Sequence, residues 1–269
     1  VAVRKGKTMV STEDFETASD RILAGLEKKK MVSEEERRVV AIHESGHAVV
    51  SWFLEGGQPL LKLTIVPRSK GSLGFAQYLP NENTNDTTEE LMDRICCILG
   101  GRCSEELFNK KVTTGAYDDL QKAYNIANLI VTKFGMSKRL GFVNIPDSEY
   151  VKKESQKTSR IIDEEVKAII EECTRRTREL VLKHKEHIQK LSDKLLEIET
   201  LDLRQITEIL GNRPFEPKAS FKAYLEIKDQ IEAEKEQKAA ETQSTETISP
   251  EKQTTEEEPK EEANKPSNQ

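Results

Sequence analysis

Residues 33–54 read SEEERRVVAIHESGHAVVSWFL, and this stretch decides the fold that we predict for the chain. Ser33, followed three residues later by Glu36, forms a capping box, which predicts that a helix begins here. The pair Gly56-Gly57 predicts where that helix ends. Apolar side chains cover most of the circumference of the helix, so we expect it to be buried in the core.

Two histidines and a glutamate lie in the middle of this predicted helix. Because residues i and i+4 share one face of a helix, the imidazoles of His43 and His47 can bind the same Zn²⁺. Glu44 points about 100° away, which keeps it off the metal but lets it take a proton from a metal-bound water. Burying such side chains without partners would cost several kcal/mol. We therefore predict one zinc per chain, with His43 and His47 as ligands and Glu44 as the general base.

A catalytic zinc usually has a third protein ligand. The extended motif that supplies it as a third histidine requires Gly at position 50 and His at position 53, and Val50 and Phe53 exclude that class. A carboxylate further along the chain is therefore needed. The candidates follow two glycine-containing segments of the sequence, and they are Glu105, Glu106, Asp118 and Asp119.

Two short runs rich in β-favouring residues follow the first motif. They span 61–66 and 73–79 and are separated by a turn that contains proline and glycine, so they predict a hairpin or two strands of a small sheet. Strands of this kind either pack as ordinary core or offer an edge to an extended substrate strand near the zinc. The residues leave both interpretations open.

Helical spacing of apolar residues predicts most of the remaining structure. One helix begins at Thr87 and ends at Gly100-Gly101 or continues to Phe108, and the next helix turns Leu120 and Ala123 to the core. Further helices are predicted at about 12–30, 158–185, 188–199 and 202–210. The predicted fold class is mainly α, a helical zinc-peptidase domain with a small β-hairpin or sheet near the active site.

The charge of the chain is concentrated at its C-terminal end. The 269 residues carry a net charge of -6, and the stretch from 231 to 269, with 11 Glu and 5 Lys, accounts for all of it. The body of the chain is therefore neutral, and without a basic excess we predict no nucleic-acid partner. Because residues after 229 include no aromatic side chain, we expect the tail to be mostly disordered.

Three other features of the sequence bear on its class. No apolar run approaches the ~18–20 residues of a membrane span, and the chain begins with Val1 rather than Met, so we expect a piece of a longer protein. The four cysteines have neither disulfide nor zinc-ribbon spacing, which predicts buried reduced thiols. His184 and His187 are interpreted as solvated surface side chains.

Four motifs, in this order along the chain, resemble those of the FtsH-type AAA proteases, and most closely those of the mitochondrial m-AAA subunits. They are His43–Ala48, Gly74–Tyr78, Gly100–Glu106 and Thr113–Leu120, and the similarity covers about residues 10–216. The resemblance implies that Asp119 is the third zinc ligand. Helical spacing agrees, since Asp119 lies nearer than Asp118 to the side on which Leu120 and Ala123 are expected to face the core.

The resemblance also implies a division of the chain. Residues 1–30 are expected to be the end of an ATPase lid region, 31–216 a zinc endopeptidase domain, and 217–269 the charged tail. ATP is expected to be used by an ATPase domain upstream and not to be bound by this chain. A membrane is expected to be reached only through upstream segments.

The activity that the resemblance implies is ATP-driven hydrolysis of peptide bonds in unfolded or misassembled polypeptides. The expected assembly is a homo- or hetero-hexamer at the mitochondrial inner membrane, facing the matrix. The alternative, from another class, is a zinc-stabilised oligomerisation module whose peptidase activity has lapsed. In such a module Glu44 would be dispensable, so its presence favours the enzyme.

Overall fold

The computed structural model describes residues 1–23, 25–26, 33–69, 73–80, 85–109, 112–146 and 155–231. Its helices are α1 (Thr12–Leu23), α2 (Glu34–Phe53), α3 (Thr88–Phe108), α4 (Tyr117–Thr132), α5 (Gln156–Lys183), α6 (Lys185–Ile198) and α7 (Leu203–Leu210). Its strands are β1 (Leu60–Thr64), β2 (Phe75–Tyr78) and β3 (Thr200–Asp202), and short 3-10 turns span Val3–Lys5 and Thr114–Ala116. The predicted mainly α fold with a small sheet is confirmed.

Helix α2 lies in the core and contacts α3, α5, α6 and β1. Ser33 caps its N-terminus, because the hydroxyl accepts a hydrogen bond from the backbone N–H of Glu36 and so satisfies a donor that the first turn leaves open. Just past its C-terminus, Arg213 donates to the carbonyl oxygens of Leu54 and Gly57. The predicted position of this helix is therefore confirmed, and its second half is mostly buried.

The backbones of α2 and α3 touch where the two helices cross. A Cβ atom on Gly46 would lie 2.5 Å from the carbonyl oxygen of Gly100, and a Cβ atom on Gly100 would lie 2.7 Å from that of Gly46. This contact explains why α3 continues through its two glycines to Phe108, the longer of the two predicted lengths. Packing against α2 offsets the low helix propensity of glycine. Thr87 and Glu90 form the predicted capping box of α3.

The sheet has three antiparallel strands in the order β2-β1-β3. Leu63 of β1 pairs with Ala76 on one side and with Leu201 on the other. The hairpin formed by β1 and β2 was predicted, whereas β3 was missed. The three residues of β3 are too few to show an alternating pattern. Asp202 is also the N-cap of α7, so the sequence here predicts the beginning of a helix rather than a strand. Strand β2 is consequently an edge strand among the described residues.

Two expectations about side-chain burial are wrong. Leu120 lies in the first turn of α4 and has the same helical phase as the buried Ala127, but it is 45% exposed. His184 is half-buried rather than solvated, because it stacks on Phe53 with 3.7 Å between the ring centroids. Burial, with a smaller contribution from His187, lowers the pKa of His184 to about 4.

Residues 1–218 form one compact unit, and residues 219–231, the described part of a second unit, are helical. The predictions for 24 and 27–30 of the lid region, for 31–32 of the peptidase domain and for 232–269 of the tail lie outside the described residues. None of the helices in the described ranges is long and apolar enough to span a membrane. All four cysteines are free thiols; Cys96, Cys103 and Cys173 are buried, as expected, whereas Cys97 is only partly buried.

Two buried serines on α2 provide a matched test of this core. The hydroxyl of Ser45 has no hydrogen-bond partner in the described structure, whereas that of Ser51 donates to the carbonyl oxygen of Gln58 at 2.7 Å. Because a buried hydroxyl without a partner is destabilising, Ser45→Ala should raise the free energy of unfolding by about 1 kcal/mol. Ser51→Ala should lower it by about 1 kcal/mol. Urea unfolding of both variants measures the difference, and a loss of stability in Ser45→Ala would contradict the assignment.

Candidate metal centre

Three of the side chains singled out from the sequence converge on one point. The Nε2 atoms of His43 and His47 are 3.0 Å apart, and each lies 3.1 Å from Oδ2 of Asp119. Helix α2 supplies the two imidazoles, and the first turn of α4 supplies the carboxylate. These three residues form a group that could hold a metal ion.

The other ring nitrogen of each histidine is held by α3. Nδ1 of His47 lies 2.8 Å from the carbonyl oxygen of Cys97, which can only accept, so Nδ1 carries a proton. Nδ1 of His43 lies 2.7 Å from Oε1 of Glu105 and donates to this carboxylate. With the protons on Nδ1, both Nε2 atoms present lone pairs to the same point. Such an outer hydrogen bond is the usual way to orient an imidazole toward a metal.

The donor set fits a zinc ion. Three lone-pair atoms within 3.1 Å of one another repel unless a cation or a proton lies between them. Ligand atoms at ~2.0–2.1 Å from a tetrahedral zinc lie about 3.3–3.4 Å apart, close to the spacing found here. Two imidazoles and one carboxylate are also the ligand set of several catalytic zinc sites.

The pKa shifts of His43 and Asp119 also favour a cation at this point. Burial by itself lowers the pKa of His43, but the hydrogen bonds with Asp119 and Glu105 outweigh burial and raise it to about 10. Burial raises the pKa of Asp119, and the two imidazoles more than offset this and bring it well below its usual range. The group therefore attracts positive charge, which a metal ion can supply in place of a proton.

The four carboxylates considered from the sequence have different environments. Asp119 contributes to the cluster, and its second oxygen, Oδ1, accepts from Nζ of Lys122 at 3.2 Å. Glu105 is 1% exposed and contacts the outer nitrogen of His43 rather than the converging atoms. Glu106 pairs with Arg178 at the surface. Asp118 is exposed at the rim of the cleft.

Gly101 makes room for the two imidazoles. A Cβ atom at this position would lie 2.6 Å from Cε1 and Nε2 of His43 and 2.6 Å from Nε2 of His47. No side chain larger than hydrogen fits there without displacing the rings. The glycine thus provides a floor beneath the two imidazoles.

Glu44 stands beside the cluster and faces the sheet. A Cβ atom on Gly74, just before β2, would lie 2.5 Å from Cγ and Oε1 of Glu44, so this glycine lets the strand approach the carboxylate. Burial raises the pKa of Glu44, and the charges of His47 and His43 partly oppose the effect. A carboxylate with a raised pKa is a better proton acceptor near neutral pH. Glu44 and the cluster open into a cavity of about 1050 Å³ between α2, α3, β2 and the start of α4.

The sequence model of Peptidase family M41 matches residues 30–209. The chain belongs to this family. The M41 match covers the helices and strands that surround the converging side chains. The predicted resemblance to the FtsH-type proteases is thereby confirmed.

Three curated relatives of this M41 chain are 43–45% identical to it over the aligned residues. The ATP-dependent zinc metalloprotease FTSH 8 of rice mitochondria (Oryza sativa subsp. japonica) is 45% identical over 220 residues, which are 80% of this chain and 27% of the relative. The ATP-dependent zinc metalloprotease FtsH of Rhodothermus marinus is 44% identical over 239 residues, 85% of this chain and 34% of the relative. The m-AAA protease component AFG3L1 of the mouse mitochondrial inner membrane is 43% identical over 232 residues, 84% of this chain and 29% of the relative. The chain spans about a third or less of the length of these proteins.

Several residues of the M41 site were missed from the sequence or seen only as motif members. Gly74 and Gly101 lie in motifs, but only the structure gives each a contact, with Glu44 and with the imidazoles respectively. The carbonyl oxygen of Cys97 carries no signal in the sequence, because a backbone acceptor is present at every position.

The two glycines allow a paired test of the M41 site. Gly101→Ala places a methyl group against both imidazoles and should weaken zinc binding about tenfold or more. Gly74→Ala displaces Glu44, which is not one of the converging donors, and should leave zinc affinity unchanged. Competition with a chelator measures both. Equal zinc affinities in the two variants would show that the imidazoles do not rest on Gly101.

Proposed function

We propose that this chain is the peptidase part of an ATP-dependent zinc protease and hydrolyses peptide bonds of unfolded polypeptides. The observation that carries the proposal is the convergence of three lone-pair donors beside the half-buried carboxylate of Glu44 in an open cleft. The family membership and the activity for which the relatives are named support it. Because the chain spans about a third or less of those relatives, the coupling to ATP is a proposal about a longer protein.

In this proposal His43, His47 and Asp119 hold Zn²⁺, one ion per chain. Bound zinc polarises a carbonyl group and lowers the pKa of water. Glu44 accepts a proton from the attacking water on a carboxylate oxygen while the water oxygen bonds to the scissile carbonyl carbon. Glu44 then gives that proton to the amide nitrogen as the carbon–nitrogen bond breaks, so it leaves the cycle as it entered.

The surroundings of Glu44 suit this role. Burial raises the pKa of the carboxyl group, which favours proton uptake, and the charges of the nearby imidazoles partly oppose this rise. Gly74 lets β2 lie against the carboxylate, so a chain bound along β2 would bring its backbone to Glu44. The base and the sheet edge are thus parts of one cleft.

The proposed substrate is an extended polypeptide segment. Strand β2 pairs with β1 on one side, and its other edge is open to a further strand among the described residues. An extended segment can add to such an edge through backbone hydrogen bonds, which demands no particular sequence. Most backbone groups of a folded protein are already paired within it, so we expect unfolded chains to be the main substrates of the cleft.

The larger assembly is proposed from the relatives. The names of three of them specify a mitochondrial inner membrane m-AAA protease component. We propose that this chain works in a homo- or hetero-hexamer at that membrane, with the peptidase part facing the matrix. Residues 1–30 would join the peptidase part, residues 31–216, to an ATPase domain that uses ATP, and residues 217–269 would form a charged tail.

A zinc-stabilised oligomerisation module without activity is not favoured. Such a module would need the ligands but no base, yet Glu44 is held against the sheet edge with a raised pKa. A variant of Glu44 separates the two functions.

Glu44→Gln should leave zinc content near one per chain and lower peptide hydrolysis by several orders of magnitude, about 10²–10⁴-fold for loss of a positioned base. The amide keeps the size of the side chain but cannot take up the proton. Metal analysis and cleavage of a short flexible peptide provide the two measurements. Absence of cleavage by both the parent and the variant would favour the oligomerisation module, and equal cleavage by an active parent would show that Glu44 is not the base.

A pair of neighbouring aspartates tests the third ligand. Asp119→Asn should weaken zinc binding roughly 10–100-fold, because it removes the charge from one of the converging donors. Asp118→Asn should have little effect, since its carboxylate is exposed at the rim of the cleft. Zinc retention against a chelator is compared for the two variants side by side. The assignment is wrong if Asp118→Asn, or Glu105→Gln, loses its metal first.

A further inference from the structure

Thr113 makes two hydrogen bonds to one buried carboxylate. Its backbone N–H donates to Oε2 of Glu105 at 3.0 Å, and its hydroxyl donates to the same oxygen at 3.1 Å. The other oxygen of Glu105 accepts from Nδ1 of His43 at 2.7 Å. Because Glu105 is 1% exposed, water cannot replace these donors easily. Thr113 therefore holds the carboxylate that orients His43.

The same threonine starts the segment that leads to Asp119. Its Oγ1 accepts from the backbone N–H of Gly115 at 3.2 Å and so caps the 3-10 turn Thr114–Ala116, which runs directly into α4. Its carbonyl oxygen accepts from Arg102 of α3 at 3.0 Å. Asp119 lies in the first turn of α4, directly after the 3-10 turn. The position of the 3-10 turn therefore determines where the carboxylate of Asp119 points.

We propose that Thr113 is a positioning residue that couples the two halves of the metal centre. Through Glu105 it fixes the imidazole of His43, and through the 3-10 turn it fixes the helix that carries Asp119. The hydroxyl of Thr113, together with its backbone N–H, thus links the donor His43 on α2 to the donor Asp119 on α4. The inference rests on the proposed function, because it takes the converging donors to be zinc ligands.

Thr87 provides a matched control with the same local bonding. Its N–H and its hydroxyl both donate to Oε2 of Glu90, at 2.8 and 3.0 Å, and its Oγ1 accepts from a backbone N–H in the first turn of α3. Both threonines are exposed on their outer side. Glu90 makes no contact with either histidine among the described hydrogen bonds, so a loss of capping at Thr87 is separated from the metal centre.

The experiment compares three variants of the whole 269-residue chain with the parent, using Zn²⁺ alone in competition with a chelator. Thr113→Val removes the hydroxyl and should weaken zinc binding about tenfold or more. Thr113→Ser keeps the hydroxyl and should retain the parent affinity. Thr87→Val should lower the midpoint of thermal unfolding without changing zinc affinity. Parent-like zinc affinity in Thr113→Val would overturn the inference.

Hydrogen exchange of the parent chain tests the coupling without any substitution. Addition of Zn²⁺ should slow exchange at the amides of Thr113 and Gly115 about tenfold or more, because it orders their partners. The amide of Glu90 should exchange at the same rate with and without zinc. Equal exchange at Thr113 and Gly115 in the two states would contradict the proposal even if Thr113→Val failed to fold.

Peptide cleavage by the parent chain separates this inference from the proposed function. If the parent binds zinc, Thr113→Val weakens that binding and the parent cleaves no peptide, the proposed function is wrong and the inference stands. A parent that cleaves peptide while Thr113→Val binds zinc normally would overturn the inference alone. A parent that binds no zinc would overturn both.

Discussion

The backbone contact between α2 and α3 at Gly46 and Gly100 is the constraint on which the rest of the site depends. With no side chain between the helices, the imidazoles of α2 lie directly over Gly101, and groups on α3 reach both of their outer nitrogens. A metal centre built on two helices in contact has little freedom to change its donor distances. The third donor arrives on α4, which also packs on α3.

The packing of these helices keeps together atoms that would otherwise move apart. The three converging donors are electron-rich and partly removed from water, so their mutual repulsion is only weakly screened. Contacts in the core, far from the donors, supply the free energy that opposes this repulsion. Stability of the core and affinity for a cation are therefore linked, since an ion between the donors stabilises only the folded chain.

The sequence predicts those parts of the molecule whose signal is local. His43, Glu44 and His47 follow from spacing on a single helix, and the caps at Ser33 and Thr87 follow from four-residue patterns. The choice of Asp119 among four carboxylates rests on a resemblance and on the helical phase of Leu120 and Ala123. That phase is a weak guide, because Leu120 is exposed and the approach of Asp119 to α2 depends on how separate helices pack. The contacts of Gly74 and Gly101 and the position of β3 depend on residues distant in the chain, so no local sequence pattern predicts them.

The pairing of β1 with β3 affects the order in which parts of the structure can form while the chain is being synthesised. Every residue of the donor cluster has been made by position 119, whereas Leu63 finds its second neighbour only when Leu201 has been added. A two-stranded hairpin is marginal by itself, and pairing between such distant segments forms slowly. A growing chain therefore possesses all of its metal donors well before it possesses a completed sheet. The three-stranded sheet is completed last, when most of residues 1–218 have already been made.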